Sequence, residues 1–346
     1  MRTVIATPTG AKLDSKAAAP IPGVDAVIRP TRVLITTLDR LWATSPASPA
    51  TGAALGHVFV GVLESLGSAT GPAAERAARF LNKRVAVNPV ITCGQCDLCR
   101  SGLAAHCRAR QLLGLSSRPG GLSERALVPA SNLLPIPDGL DDDHAVFAVL
   151  CASAAHAAAG FRIESKTFVS VLGDGPIGLL TAQALARLNA SVRLLGKHPR
   201  KTEMCARWGI KHRLISEVGR REDQDVVIDC TGDPAGLVDA LGLVRPRGKV
   251  ILKSIGASLP AENAAPGLGV HPLPPGAARE LWERVVRDEL LILGSGSGSL
   301  AEGLALLASG SVNVDGLITR RARLDDAPAF INTPADGEIV SLIEVR

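Results

Sequence analysis

Cys93-Gly-Gln-Cys96-Asp-Leu-Cys99, with Cys107 eight residues further on, gathers four of the chain's seven cysteines into fifteen residues. Four thiolates on one short lobe suit a closed tetrahedral zinc site, and the short gaps let a loop wrap around the ion. A closed shell leaves no position for water or substrate, so the expected zinc is structural, one per chain, on a lobe spanning 93–107. An iron–sulfur cluster is the competing metal, although a ferredoxin-type run has a shorter last gap and a following proline. Unligated core thiols explain four polar-flanked cysteines poorly, and without a secretory leader such a cluster reads as metal-binding rather than disulfide-forming.

The second constellation is Gly173-Asp174-Gly175-Pro176-Ile177-Gly178, directly after the apolar run 168–172 and before an alanine- and leucine-rich segment. In a strand–turn–helix context Gly173 makes the tight turn, Gly175 admits a pyrophosphate and Gly178 lets helix pack on strand. The helix N-terminus then offers free N–H groups to phosphate, so Gly173, Gly175, Pro176, Ile177 and Gly178 are candidate cofactor-binding residues. NAD enzymes place a carboxylate about 20 residues after the first glycine, at the end of the second strand. Residues 195–201 read LGKHPRK and contain none. Lys197, His198, Arg200 and Lys201 could instead neutralise a 2′-phosphate, which favours NADP(H) over NAD(H). The plainer alternative is a solvated helix start, where cations oppose the macrodipole. Thr231, in the turn Asp229-Cys230-Thr231-Gly232, completes the candidate cofactor set.

These residues need two kinds of scaffold. Residues 1–70 alternate short apolar runs with Pro, Gly and Asp, which predicts a β-rich region. A loop is expected over 44–54, a short helix or loop over 75–81, strands over 84–88, 120–128 and 132–136, and a long helix over 141–159. After the glycine turn the pattern alternates: strands at 191–195, 226–229, 249–253 and 290–293, and helices at 201–208, 237–244 and 277–287. A Pro/Gly-rich loop is expected over 257–276 and a helix over 300–308. Alternation of this kind predicts an α/β fold with a doubly wound parallel sheet.

A chain of 346 residues accommodates two domains, and 46% hydrophobic with 21% charged residues describes an ordinary globular protein. The net charge of +5 is dispersed, which argues against nucleic acid as a partner. No apolar run reaches the length of a membrane span, and MRTVIATPTGAKLDSK lacks an apolar leader, so a cytoplasmic protein is expected. The chain has no tyrosine, which removes a Tyr general acid from any mechanism.

In the order of Gly56-His57, the cysteine lobe, Gly173–Gly178, Asp229–Gly232 and Val244-Arg245-Pro246-Arg247-Gly248, the whole chain resembles the zinc-dependent alcohol dehydrogenase branch of the medium-chain dehydrogenase/reductase superfamily. The resemblance implies a GroES-like domain at 1–151, a Rossmann domain at 152–296 and a C-terminal return to the first domain at 297–346. It also implies a small-molecule substrate and a homodimer or homotetramer. The family's catalytic zinc is where this chain departs. Thr36 stands where the resemblance implies a cysteine ligand, Leu38 where it implies a relay hydroxyl, Val58 follows His57 in place of glutamate, and Val149 occupies a further ligand position. A catalytic zinc needs about three protein ligands and an open position, and only His57 remains. Asp39, His144, Cys151 and His156 are the residues that could improvise one.

Three functions follow. The first is NAD(P)(H)-linked hydride transfer on a small alcohol, carbonyl or activated double bond, with a structural zinc, no catalytic zinc, and His57 or Thr36 as the polarising donor. The second is a non-catalytic dinucleotide-binding protein, and the third a zinc dehydrogenase with unconventional ligands.

Overall fold

The computed structural model describes residues 1–44, 52–115, 118–163, 166–254 and 277–345. The loops expected over 44–54 and 257–276 fall largely or wholly outside the described residues. The chain divides into two compact units, one of residues 1–149 with 315–346 and the other of residues 150–314. The boundaries expected from the sequence were 151/152 and 296/297.

The first unit is built on a sheet in the order Ile318–Arg323, Val340–Glu344, Ala26–Ile35, Val58–Ser65, Arg84–Val87, Leu133–Pro135, with Ala126–Val128 pairing beside Ala26–Ile35. Ile318–Arg323 and Val340–Glu344 run parallel, and every other pairing in this sheet is antiparallel. Ile28, Val33, Phe59, Leu63, Val85, Leu122 and Ile343 fill the core. Two sequence expectations are corrected here. The stretch 120–128 is strand only over Ala126–Val128, because the N–H groups of Gly120, Gly121 and Leu122 bond to Ala54, Gly56 and Leu55 instead of a sheet neighbour. The 141–159 helix is two helices, Asp142–Ala145 and Ala148–Ala158, interrupted where Phe147 N–H turns back onto His144. Neither Gly nor Pro marks that break.

The second unit holds a six-stranded sheet, all parallel, in the order Lys211–Leu214, Ser191–Gly196, Phe168–Leu172, Gln224–Asp229, Val244–Leu252, Leu291–Gly294. This is the 3-2-1-4-5-6 order of a dinucleotide fold, with its switch point beside Phe168–Leu172. Parallel strands buried on both faces read as near-continuous apolar runs, as Val169–Leu172, broken only by the buried Ser170, and Val226–Ile228 do here. The edge strand Lys211–Leu214 has no counterpart in the sequence expectation, since its four residues KHRL carry no apolar run. The helix expected over 201–208 is a short α-helix, Pro199–Thr202, followed by a 3-10 segment, Glu203–Trp208. Arg200 and Lys201 therefore lie at the start of this helical segment, as expected, but in a helix of a single turn, whose dipole is too small to argue for or against a ligand there. Among the described residues no helix is long and apolar enough to cross a membrane.

Candidate functional site

The first unit carries the cysteine lobe. The Sγ atoms of Cys96 and Cys99 lie 3.5 Å apart, as do those of Cys93 and Cys107. Cys96–Cys107 and Cys93–Cys99 are 3.9 and 4.0 Å apart, and all four sulfurs fall within 4.8 Å of one another. A tetrahedral zinc with Zn–S near ~2.3 Å holds its sulfurs ~3.8 Å apart, whereas a disulfide brings them to ~2.0 Å. The donor set fits zinc. Hydrogen bonds from the Cys99 and Arg108 N–H groups hold the Cys96 thiol down at about 6. Burial, with Cys96 and Cys107 alongside, pushes Cys99 up to about 12. Four sulfurs this close cannot all ionise without a cation between them.

A second cluster in the same unit centres on Asp39, in the first turn of the helix Thr37–Thr44. Its carboxylate is fully buried, and Oδ2 accepts from the Thr36 N–H at 2.8 Å and the Thr36 hydroxyl at 2.9 Å. This is the reach-back half of a capping box. Oδ1 accepts from the N–H of Gly56 at 3.2 Å and of His57 at 3.4 Å, and lies 3.2 Å from His57 Nδ1. Burial alone would raise the Asp39 carboxyl, but the His57 ring and then the Thr36 donors outweigh it and hold it below the usual range. Asp39 thus binds together the two sequence candidates, Thr36 and His57. The Thr36 proton is committed to the carboxylate, while His57 Nε2 has no hydrogen-bond partner among the described residues.

The other residues considered for a second metal site are engaged elsewhere. His144 uses Nδ1 on Asp141 at 2.8 Å and Nε2 on Asp315 at 3.0 Å. Burial pushes the Cys151 thiol up to about 12. His156 is exposed and also has an interaction partner. Among the described residues, the cysteine lobe is the one cluster of three or more His, Cys, Asp or Glu side chains close enough to share an ion.

The second unit carries the glycine turn at the C-terminal end of Phe168–Leu172. Gly173 sits at φ +104°, and a Cβ on Gly178 would fall 1.9 Å from the Gly173 carbonyl oxygen. A Cβ on Gly175 would meet nothing within 4 Å, which leaves the turn open where a pyrophosphate must approach. Gly175 caps the helix Pro176–Ala186 without any side-chain hydrogen bond, so the first-turn N–H groups are left for a ligand. Thr231 closes its own turn, with its hydroxyl on Asp229 Oδ1 at 2.6 Å and its oxygen accepting the Asp233 N–H at 3.2 Å.

Two residues of this unit went unnoticed in the sequence. Asp174, the variable position inside the glycine turn, sends its carboxylate to the end of Ser191–Gly196 and accepts the N–H groups of Lys197 and His198. The inference that this strand end lacks a carboxylate is therefore corrected: one is present, contributed by another loop. Lys253 is a buried ammonium just beyond Val244–Leu252, bonded to the Ser295 carbonyl and hydroxyl at 3.3 Å and to the Gly296 carbonyl. Burial pushes it down to about 8. Its lone place after an apolar strand is the signal that could have marked it.

Known proteins match this architecture. The model of the alcohol dehydrogenase GroES-like domain matches residues 20–138. The L-threonine 3-dehydrogenase of Rhizobium etli (strain CIAT 652) is 26% identical over 287 residues, covering 79% of this chain and 75% of its own. Among solved structures, a candidate zinc-binding dehydrogenase from Sinorhizobium meliloti 1021 bound to NADP is 26% identical with a TM-score of 0.78, covering 99% of each chain. The alcohol dehydrogenase TADH from Thermus sp. ATN1 has a TM-score of 0.80 at 24% identity over 100% of each chain, a likeness of fold.

Proposed function

This chain belongs to the zinc-dependent alcohol dehydrogenase-like family of the medium-chain dehydrogenase/reductase superfamily, and we propose that it is an NADP(H)- or NAD(H)-linked oxidoreductase whose zinc is structural only. Its substrate is a small alcohol, carbonyl compound or activated double bond. The carrying observation is the Asp39 cluster, in which the residue at the first ligand position is a neutral threonine whose hydroxyl already donates to Asp39. Threonine and valine cannot replace the thiolate and carboxylate that a catalytic zinc requires. The cysteine lobe, Cys93, Cys96, Cys99 and Cys107, holds the structural zinc.

Gly173, Gly175, Pro176, Ile177 and Gly178 would hold the dinucleotide's pyrophosphate, Lys197, His198, Arg200 and Lys201 would serve its adenosine end, and Thr231 shapes the neighbouring turn. The NADP bound by the Sinorhizobium protein supports NADP(H) here. When bound, the nicotinamide supplies or accepts the hydride. The matching proton is the protein's task. With Nδ1–H directed to Asp39, His57 is oriented to donate a proton from Nε2 to a carbonyl oxygen, and the buried carboxylate fixes the ring in that orientation. Thr36 acts through Asp39, holding its second oxygen. In the oxidative direction the same Nε2 takes the alcohol proton.

The chain is proposed to be cytoplasmic and to form homo-oligomers. Leu291–Gly294 is an edge strand whose Leu291, Ile292 and Leu293 are exposed, with Trp282 72% exposed on the preceding helix. Such an edge is a template for pairing with a second copy.

The deciding experiment combines zinc analysis per purified chain with NADPH oxidation on carbonyl substrates and NADP⁺ reduction on alcohols, L-threonine included. One zinc, lost in the Cys96→Ser/Cys99→Ser double variant, together with turnover by the wild type, is the expected result. A second zinc that survives in the double variant overturns the metal-free mechanism. Tight NADPH binding without turnover on any substrate would support the non-catalytic reading.

A further inference from the structure

We propose that Asp174, contributed by the glycine turn, is the carboxylate that reads the 2′ position of the cofactor's adenosine ribose in this chain and opposes a 2′-phosphate there. The proposal rests on the dinucleotide site described above. Dinucleotide folds ordinarily place this acidic group at the end of the second strand. Here residues 195–201 supply none, yet the space is not left to cations alone. Asp174 Oδ2 accepts the Lys197 N–H at 2.8 Å and the His198 N–H at 2.7 Å, and both carboxylate oxygens lie 3.1 Å from His198 Nδ1.

The neighbourhood is built around this carboxylate. A Cβ on Gly196 would come 2.5 Å from Asp174 Oδ2, so the last residue of the strand must lack a side chain for Asp174 to lie where it does. The Asp174 side chain is only 9% exposed. The side chain paired with it is that of His198, which balances the charge only when protonated.

Two consequences follow for a cofactor. The Lys197 and His198 N–H groups, natural donors to a phosphate at a strand end, are already taken by Asp174. A 2′-phosphate must then be held by the side chains of Lys197, Arg200 and Lys201 against a nearby negative charge. Lys197 is in turn shared with Asp239, whose carboxyl burial raises and Lys197 lowers. A ribose 2′-hydroxyl meets no such repulsion, and a carboxylate can accept its hydrogen bond. The subsite thus carries opposed signs, cations outside and a carboxylate inside. Asp174 sets how far NADP(H) is preferred.

The test is a fluorescence titration of wild type, Asp174→Asn and Asp174→Ser with NADPH and with NADH, using 2′,5′-ADP and 5′-ADP as competitors. Asn keeps an oxygen for the backbone N–H groups and removes only the charge. Removing a like charge beside a phosphate is worth about tenfold or more in affinity, so the Kd for NADPH should fall by about tenfold relative to that for NADH. The Kd for 2′,5′-ADP should fall by the same factor relative to that for 5′-ADP. Equal weakening of both cofactors would show that Asp174 only props the loop, and an unchanged ratio would show that it does not face the 2′ position. Either result overturns the proposal. Should the Asn variant fail to fold, the Ser variant decides. If wild type binds neither cofactor nor either competitor, the dinucleotide reading itself has failed, and the assignment of Asp174 with it.

Discussion

His57 Nδ1 lies 3.2 Å from Oδ1 of Asp39, a carboxylate with no exposure to solvent. Buried charges of this kind persist only when fully bonded, and Asp39 gathers donors from Thr36, Gly56 and His57. Asp39→Asn replaces one acceptor oxygen by a donor facing N–H groups and should destabilise the fold by about 3 kcal/mol. The Asp39 carboxyl is held below its usual value in the folded chain. Its stabilisation is therefore complete above the unfolded-state value near ~3.9 and is lost as pH falls through the lower folded value. Urea unfolding of both proteins across pH 2–7 should show the wild-type advantage shrinking only at the acid end. An advantage that stays constant to pH 2 would contradict the depressed carboxyl.

His57→Asn separates chemistry from binding. It removes the proposed proton donor while leaving the glycine turn untouched, so turnover should fall by about 10²–10⁴-fold. The NADPH Kd should stay within about twofold. Loss of NADPH binding in this variant would place His57 in a structural role.

The cysteine lobe predicts a stability linked to metal. Cys93, Cys96, Cys99 and Cys107 hold sulfurs at zinc-like spacings, and a structural zinc contributes directly to folding. A strong chelator should release one zinc per chain and lower the melting temperature. The Cys96→Ser/Cys99→Ser variant should match the chelated protein and be insensitive to chelator. A wild type unaffected by metal removal would leave the lobe without a structural role.

What the sequence revealed and what it hid divide along one physical line. The cysteine lobe and the glycine turn are short-range patterns, so the residues that act together are neighbours in the chain. The runs 168–172 and 226–228, apolar but for Ser170, likewise announce buried parallel strands. Asp174 and His198 are 24 positions apart and meet only because adjacent parallel strands end side by side. No composition or spacing rule points an aspartate inside a glycine turn toward the neighbouring strand end. Thr36 and His57 could be named from the resemblance, but Asp39 as the group that joins them is visible only once the helix Thr37–Thr44 and Gly56 converge on it. Lys211–Leu214 escaped because a charged edge strand carries no apolar signature.

Lys253 offers a pH test of opposite sign to Asp39. Its ammonium is buried against the Ser295 and Gly296 carbonyls, and burial pushes it down to about 8 from 10.5. Between those values the unfolded chain binds a proton that the folded chain has released, so this group makes stability rise with pH. Over the whole interval the gain amounts to about 3 kcal/mol. Lys253→Met lacks that titration. The stability of wild type relative to the variant should be lowest below pH 8 and climb toward pH 10.5. A flat difference across that range would mean that Lys253 titrates as an ordinary surface lysine.

The edge strand Leu291–Gly294 predicts the oligomer. Among the described residues it pairs with Val244–Leu252 on one side only, and Ile292 on it is 40% exposed. Natural edge strands are commonly blunted by charge, as Lys211 and Arg213 do at the opposite edge of the same sheet. Leu291–Gly294 carries no such guard, which is what a strand reserved for pairing with a second copy requires. Ile292→Lys introduces the missing charge, and two like charges brought together across a two-fold axis oppose association. Light scattering should show wild type as a dimer or tetramer and Ile292→Lys shifted to a smaller species. The second unit should keep its NADPH affinity, because the cofactor residues lie at other strand ends. A wild type that is monomeric at micromolar concentration, or a variant with unchanged assembly, would remove this edge as the interface.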